Sequence, residues 1–410
     1  MGTELAQHSA PNGAPLGKVL QRIETGWSPV CDPVCPASDE WGVIKLSAVT
    51  SGRFKPLESK RLPTDTPPRP RLEIREGDVL MSRANGVQAL VGVPSVVGPT
   101  RDLLLLSDLV FRLLPVRAML DSRYLALVLA CLSVRRQIDS VMRGSSGQFK
   151  ISQADIRKLR VPLYTLDEQH LIVDAVNSVD RDIEALERRI VKLTVVRDTA
   201  IEDVLSRVSS VDHCPVRTVG SVRMGKQLSP SSVSYGEQFP YLRVANVLAD
   251  RIDTSDVKAM HFTERERAMF QLMPGDVLLN EGQSIELVGR SAIFRDSDQP
   301  MYFQNTLIRF RPDADVLSEY AQVIFTRWLR DGEFAKIAKQ TTSIAHLGAD
   351  RFAGMMFPHC SLADQETVSR TACQFKAQLA VLEDRAAKLR TMRQALAEDL
   401  LTGRVRVTDL

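Results

Sequence analysis

Between residues 166 and 206 the apolar positions recur at alternating steps of four and three. Ile172, Val176, Val179, Ile183, Leu186, Ile190 and Leu193 carry the stripe. That is the a/d spacing of a coiled-coil helix. Adding 196 to each number gives Val368, Ala372, Phe375, Leu379, Leu382, Ala386 and Leu389, and every one is apolar. Both stripes continue, through Ala200 and Val204 in one case and Leu396 and Leu400 in the other. Arg197 and Arg393 interrupt them at matching places. Neither Pro nor Gly occurs between 167 and 206 or between 364 and 402. Each stretch therefore predicts one helix of about 40 residues, about 60 Å long at about 1.5 Å per residue. A helix with a single apolar stripe needs a partner, and the other copy offers a matching one. An antiparallel coiled coil is expected; the alternative is that each stripe packs on its own globular segment.

The rest of the chain repeats with nearly the same interval, 196 or 198 residues. "LDEQ" (166–169) matches "LADQ" (362–365), and "EGDVLMSRANG" (76–86) matches "PGDVLLNEGQS" (274–284). "VIKLSAV" (43–49) matches "YLRVANV" (241–247). "SSGQFKISQADIRKLRVP" (145–162) matches "TTSIAHLGADRFAGMMFP" (341–358). The chain is an internal duplication of a unit of roughly 200 residues. Within each unit, apolar runs bounded by Gly, Pro and Asn ("DVLMSR", "ALVGVPSVVG", "LVFRLLP"; "DVLLNEG", "LVGRSAIF", "TLIRFRP") predict strands and turns. A helical stretch follows each set: "SRYLALVLACLSVRRQIDSVM" and "SEYAQVIFTRWLRDGEFAKIA". The expected class is α+β: two globular domains alternating with two long helices, related by a pseudo-two-fold axis. The boundaries expected are a flexible tail at 1–14, globular parts at 15–162 and 211–358, and helical parts at 163–210 and 359–410.

Charge adds a bias. The net charge is +3. Residues 1–162 hold 22 Lys and Arg against 15 Asp and Glu, whereas residues 163–210 hold 6 against 10. A basic globular part suits a polyanion such as nucleic acid, and it also suits ordinary fluctuation. The six cysteines are scattered, as in a reducing cytosol. No apolar run has the ~18–20 residues needed to span a bilayer, and the first residues read as a tail without a signal-peptide core. A cytoplasmic chain without a membrane partner is expected.

With this layout, the residues Val161-Pro162-Leu163, Leu166 to Gln169 and the closing "EDLLTGRVRV" (398–407) resemble the specificity subunits of type I restriction–modification systems. The resemblance covers nearly the whole chain from about residue 15. The second copy departs mildly. His359-Cys360 replace the apolar/proline pair after Pro358, and Ala363-Asp364 stand where the first copy has Asp-Glu; in the first copy the counterpart of the closing stretch, "EDVLSRV" (202–208), lacks the glycine. The resemblance implies two target recognition domains, each reading one half of a split, asymmetric double-stranded DNA site. The helices would set the unread spacer and dock two methyltransferase subunits. S-adenosylmethionine, ATP and Mg would be used on partner subunits, and restriction/translocase subunits could join. The chain itself would hold no cofactor and no metal and would catalyse nothing.

Motifs for catalysis are weak. The Asn/Asp-Pro-Pro-aromatic tetrad by which adenine methyltransferases hold a flipped base is missing. "GSSGQFK" (144–150) lacks the G-K-[ST] ending of a phosphate-binding loop. Carboxylate-x-Lys triplets occur at "ESK" (58–60) and "DVK" (256–258), and Glu58 and Asp256 are the residues a nuclease reading would use. "CDPVC" (31–35) offers two thiols where a structural zinc needs four ligands. An interaction scaffold with no DNA role is the other competing class.

Base edges call for forked donors and acceptors, and phosphates call for Arg, Lys, hydroxyls and backbone N–H groups. Two loop classes supply such residues. The first follows the "GDVL" strand: Ser82, Arg83 and Asn85, and in the second copy Asn280 and Gln283. The second precedes the hinge: Arg143, Ser145, Ser146, Gln148 and Lys150, and in the second copy Lys339, Gln340, Thr341, Thr342 and His346. Surface turns of the same composition are the bland alternative. Gln304 and Asn305 of "FQNT" (303–306) are weaker candidates.

Overall fold

The computed structural model describes residues 13–145, 147–208, 211–230, 232, 236–340 and 344–407. The chain divides into two units, Met1–Arg188 with Asp384–Leu410, and Arg189–Glu383.

In the first unit a four-stranded antiparallel sheet runs in the order β1 (Leu20–Thr25), β8 (Val110–Pro115), β4 (Val79–Ser82), β6 (Pro94–Val96). A second sheet joins β3 (Ser59–Arg61), β2 (Gly42–Ile44) and β7 (Leu104–Leu105), the last pair parallel. A third joins β9 (Arg143–Ser145), β10 (Gln148–Lys150) and β5 (Ala84–Asn85). Ala14–Pro15 pairs with Arg160–Val161 and ties the two ends of the domain together.

The second unit repeats these sheets and adds a two-stranded hairpin, Val247–Leu248 with Arg251–Ile252. Its four-stranded sheet runs β11 (Gly220–Met224), β18 (Leu307–Pro312), β14 (Val277–Asn280), β16 (Ser291–Ile293). Its second sheet is β13 (Lys258–His261), β12 (Gln238–Leu242), β17 (Tyr302–Phe303), again with one parallel pair. Its third is β15 (Gly282–Gln283), β20 (Ala345–His346), β19 (Lys339–Gln340). Asp212–Pro215 pairs with Met356–His359 at the domain's ends. The duplication read from the sequence is thus a duplication of topology.

The continuous apolar runs have a packing cause. Alternate residues of a strand face opposite sides. Val79, Met81, Phe111 and Leu113 pack into one core with the helices, while Leu80 and Val110 pack into a second core with Val43, Ile44 and Leu105. Val277, Leu279, Ile308 and Phe310 against Leu278 and Leu307 divide in the same way. A strand covered on both faces must be apolar at every position.

The helical stretch after each sheet is broken in two, which its sequence does not reveal. In the first unit α1 (Ser122–Ala130), capped by Asp121, stops at Cys131 and α2 (Leu132–Val141) follows. In the second, α6 (Ser318–Arg330) ends where Gly332 adopts φ +74°, and α7 (Glu333–Ile337) starts there. The labels α3 (Gln153–Lys158) and α5 (Glu264–Phe270) belong to short helices elsewhere in the two units.

The long helices are α4 (Leu166–Ser206) and, after the short α8 (Ala349–Ala353), α9 (Leu362–Thr402). Thr165 and Glu168 close the start of α4, the Thr165 N–H donating to Glu168 at 3.0 Å. Ser361 and Asp364 close the start of α9 through the Ser361 hydroxyl. Gly403, at φ +73°, follows the last turn. Of the seam residues, Ile172, Ile183, Leu186, Val368, Leu379 and Leu382 are buried. Val179, Ile190, Leu193, Phe375, Leu389 and Leu396 are half-buried.

Within the first unit the two helices run antiparallel. Arg393 grips Asp180 at 3.0 Å and Arg390 reaches Glu187 at 2.8 Å, so one numbering rises as the other falls. Towards the domain the same stripes enter its core, where Ile172, Val173 and Val176 pack with Ala397, Leu400, Leu401 and Tyr124. In the second unit Val368, with Val204, Leu205 and Val208, joins the core of Tyr320 and Phe357. Both expected fates of the stripe are realised: helix meets helix, and helix ends meet the globular core.

Candidate nucleic-acid interface

The two loop classes read from the sequence are brought together in each unit, and they are not loops. The pre-hinge segment of the first unit is a hairpin, β9 and β10, with Gly147 at φ +77° in its turn. Its second strand adds β5, the segment that follows "GDVL". Arg143 pairs with Lys150, and Ser145 with Gln148. Directly opposed residues of an antiparallel pair share a face, as do positions two apart. Arg143, Gln148 and Lys150 therefore share one face of the hairpin. The other face carries Phe149, which packs against the core, and Gly144, whose lack of a Cβ admits the Phe149 ring. Arg143, Gln148 and Lys150 are exposed or half-exposed. Two cations and an amide at one face match the donors that phosphates and base edges accept.

The second unit builds the equivalent three-stranded sheet. Lys339 stands opposite His346, and Gln340 opposite Ala345. Lys339, Gln340 and His346 are exposed. Ser146, Thr341 and Thr342, and the side chain of Ser145, lie outside the described residues.

Two expected contact residues lie elsewhere. Ser82 is fully buried; its hydroxyl donates to the Leu90 carbonyl at 2.6 Å and accepts from the Val93 N–H at 2.9 Å. Asn280 is fully buried and donates to the Val247 carbonyl at 3.2 Å. Both sit on central strands, where a small polar side chain holds a neighbouring loop, and neither reaches the surface. Three others are half-engaged. Arg83 lies 5.5 Å from the centre of the Phe111 ring and donates to the Asp108 carbonyl at 3.2 Å. Asn85 accepts from the Val87 N–H, and Gln283 from the Ser284 N–H. Gln304 and Asn305 carry backbone bonds to Leu242 and Lys226 at the edge of the second sheet.

The nuclease candidates hold ordinary surface pairs. Glu58 accepts from the Ser47 hydroxyl at 2.7 Å, and Asp256 pairs with Arg243. Among the described residues there is no cluster of three or more His, Cys, Asp or Glu able to hold a metal ion. Cys31 and Cys35 are free thiols, and burial pushes the Cys31 thiol up.

Sequence reasoning missed Arg351. Its guanidinium lies over Gly348 and donates to the His346 carbonyl at 2.8 Å. Together with exposed Arg223 it lines a shallow concavity over Val222, Met224 and Phe270. Arg351 falls on α8, a helix too short to announce itself by periodicity.

A family profile described as the type I restriction modification DNA specificity domain matches residues 100–194. That stretch carries α1, α2, the hairpin, the hinge and about the first two-thirds of α4. The type I restriction enzyme EcoEI specificity subunit of Escherichia coli is 31% identical over 180 residues, 43% of this chain. The match spans 30% of that relative's length. The fold is that of the S subunit of a type I restriction-modification system from M. genitalium, with a TM-score of 0.51 at 12% identity over 97% of this chain and 98% of that one. A chain from a structural study of complex assembly and conformational transition in the type I R-M system gives 0.58 at 18% identity, over 97% and 100%. With the duplicated topology and the paired helices in place, residues 100–194 match the type I restriction modification DNA specificity domain, and the chain as a whole has the fold of the type I specificity subunits it is similar to.

Proposed function

We propose that this chain is the DNA-recognition subunit of a type I restriction–modification complex. Each unit reads one half of a bipartite, asymmetric duplex site through the face of its three-stranded hairpin sheet. The long helices hold two methyltransferase subunits and set the interval between the half-sites. The observation that carries this reading is the repetition of one polar, exposed hairpin platform at matching places in two units that share three equivalent sheets. A reader used twice suits a site with two halves. The chain is a non-catalytic subunit. Methyl transfer with S-adenosylmethionine, and any ATP- and Mg-dependent translocation and cleavage, fall to methyltransferase and restriction subunits. No helix among the described residues is long and apolar enough to cross a membrane, and a cytoplasmic location beside the genome follows from the proposed role.

The test is co-expression with the neighbouring methyltransferase, followed by sequencing of N6-methyladenine across the genome. One new, split, asymmetric methylated motif that depends on this chain is the expected result. A stable complex that yields no motif and binds duplex DNA without salt-sensitive, sequence-dependent affinity would leave a scaffold only.

A further inference from the structure

The two platforms share a backbone but carry opposite charge at one corner. The Ile151 N–H donates to the Arg83 carbonyl at 3.1 Å, and the Leu347 N–H donates to the Glu281 carbonyl at 2.8 Å. Lys150 pairs with Ala84, and His346 with Gly282. Arg83 and Lys150 of the first unit are thus replaced, place for place, by Glu281 and His346 of the second.

An acid at the surface of a DNA-binding face is costly unless it does something a cation cannot. Phosphates repel it, and counterion release rewards only cations. Glu281 is bonded to the His346 ring, with Oε2 3.0 Å from Nδ1. The Glu281 side chain is 12% exposed and that of His346 48%. A carboxylate only accepts, so Nδ1 carries the proton. In the neutral ring Nε2 is then an acceptor. Among the described residues Nε2 has no partner. The ring lies against Gly282, where a Cβ would stand 3.3 Å from Cε1 and 3.4 Å from Nδ1. Arg351 pins the His346 carbonyl, and Lys339 stands opposite on the hairpin.

We infer that His346, oriented by Glu281, is a base-reading residue that accepts a hydrogen bond from an exocyclic amino group, cytosine N4 or adenine N6, at one position of the half-site taken by the second unit. The matching corner of the first unit, Arg83 and Lys150, can only donate. It serves phosphate oxygens or the acceptor edge of guanine. The inference rests on the proposed DNA reading and adds the direction of one contact.

The experiment uses the full chain co-expressed with its methyltransferase partner, at about pH 8. Binding is measured to duplexes in which each position of the wild-type methylated motif is varied in turn. His346→Ala should lower discrimination at one position by about 5-fold or more, leaving the other positions and the salt dependence unchanged. Glu281→Gln frees the ring to flip its tautomer, and should move preference at that same position towards guanine or thymine. Thermal unfolding of both variants, with His346→Gln as a third, separates misfolding from lost reading. Uniform weakening at all positions, a change in the other half-site, or unchanged discrimination in stable variants would overturn the inference. A wild-type complex without any sequence preference would overturn the DNA reading itself, and the inference with it.

Discussion

Gln169 and Gln365, 196 positions apart in the chain, make the same three hydrogen bonds in their two units. Gln169 is fully buried; its amide donates to the Met119 and Tyr164 carbonyls, each at 2.9 Å, and its carbonyl accepts from the Asp121 N–H at 2.9 Å. Gln365 bonds Asp315, Cys360 and Leu317 at the same three distances. Each glutamine fastens the first turn of a long helix to the loop before α1 or α6. A tyrosine on that following helix secures the hinge: Tyr124 donates to the Pro162 carbonyl at 3.1 Å, Tyr320 to that of Pro358 at 2.8 Å. An amide that both donates and accepts is needed here, and Glu could not replace it.

Gln169→Leu should therefore lower stability by about 2–3 kcal/mol, because it leaves buried backbone groups without partners. Gln365→Leu should cost about the same. Urea unfolding of the single variants measures both. A loss below about 0.5 kcal/mol at either site would mean that water takes the amide's place.

A second pair of equivalent residues has diverged, and the divergence can be measured. Arg112 and Arg309 both reach from the central strand to the carbonyls of the preceding segment. Arg112 bonds Glu73 at 2.6 Å and Arg71 at 3.0 Å; Arg309 bonds Gln271 at 3.3 Å and Met269 at 3.4 Å. Arg112 also holds Glu24 at 2.5 Å and Asp78 at 3.0 Å. In the second unit the matching carboxylate, Asp276, is bonded by Arg311 at 2.6 Å instead. Burial without a bonded carboxylate pushes Arg309 down to about 10. Arg112→Met removes the buried cation from Asp78 and leaves Glu24 with Arg22 alone, and should cost about 3 kcal/mol. Arg309→Met should change stability by about 1 kcal/mol or less. The folded state holds the Arg309 proton less tightly than the unfolded chain does. Its cost is therefore relieved as pH rises above about 10, and Arg309→Met should remove that part of the alkaline dependence. Urea unfolding of both variants at neutral and alkaline pH measures the two effects.

The pair that interrupts the stripe, Arg393 with Asp180, is about one-third exposed on each side chain. Solvent screens it, so a double-mutant cycle with Arg393→Ala and Asp180→Ala should give a coupling of about 0.5–1 kcal/mol. High salt should shrink that coupling, because the pair is reached by counterions.

These cases show what the chain made legible. The heptad stripe locates both helices, because a period over ten turns averages out local noise, but not their ends: the expected helical parts 163–210 and 359–410 run three to eight residues past them. The "LDEQ"/"LADQ" match contains the latch, but the pattern marks Gln169 only as a repeated letter. Its three partners are backbone atoms, which no residue type announces. The strand runs are visible, yet their double coverage is not, so Ser82 and Asn280 look like surface groups in the sequence. The pre-hinge hairpin is hidden for the opposite reason. Its strands are two or three residues long, shorter than any alternation can establish, and its register depends on pairing with a segment some 60 residues away.

The platform itself gives a prediction about affinity. Arg143→Ala and Lys150→Ala together should weaken duplex binding about equally for all sequences. They should also reduce the slope of log K against log salt by roughly 0.9 for each phosphate no longer neutralised. Titrations at several salt concentrations measure this. A selective loss at particular base pairs would show instead that these cations read base edges.

Specificity should be modular in the same hairpins. The segments 143–150 and 339–346 join equivalent elements in their units, so replacing the first by the second asks what the hairpin contributes on the shared scaffold. The expected outcome is a methylated motif altered in one half and intact in the other. Each sheet is completed within its own unit, by β5 in the first and β15 in the second. Sequencing of N6-methyladenine in cells carrying the swap reads both halves at once. Equal loss in both halves, with the protein still folded, would mean that the units do not read independently. An unchanged motif would move recognition away from the hairpin, to surfaces such as the concavity lined by Arg223 and Arg351.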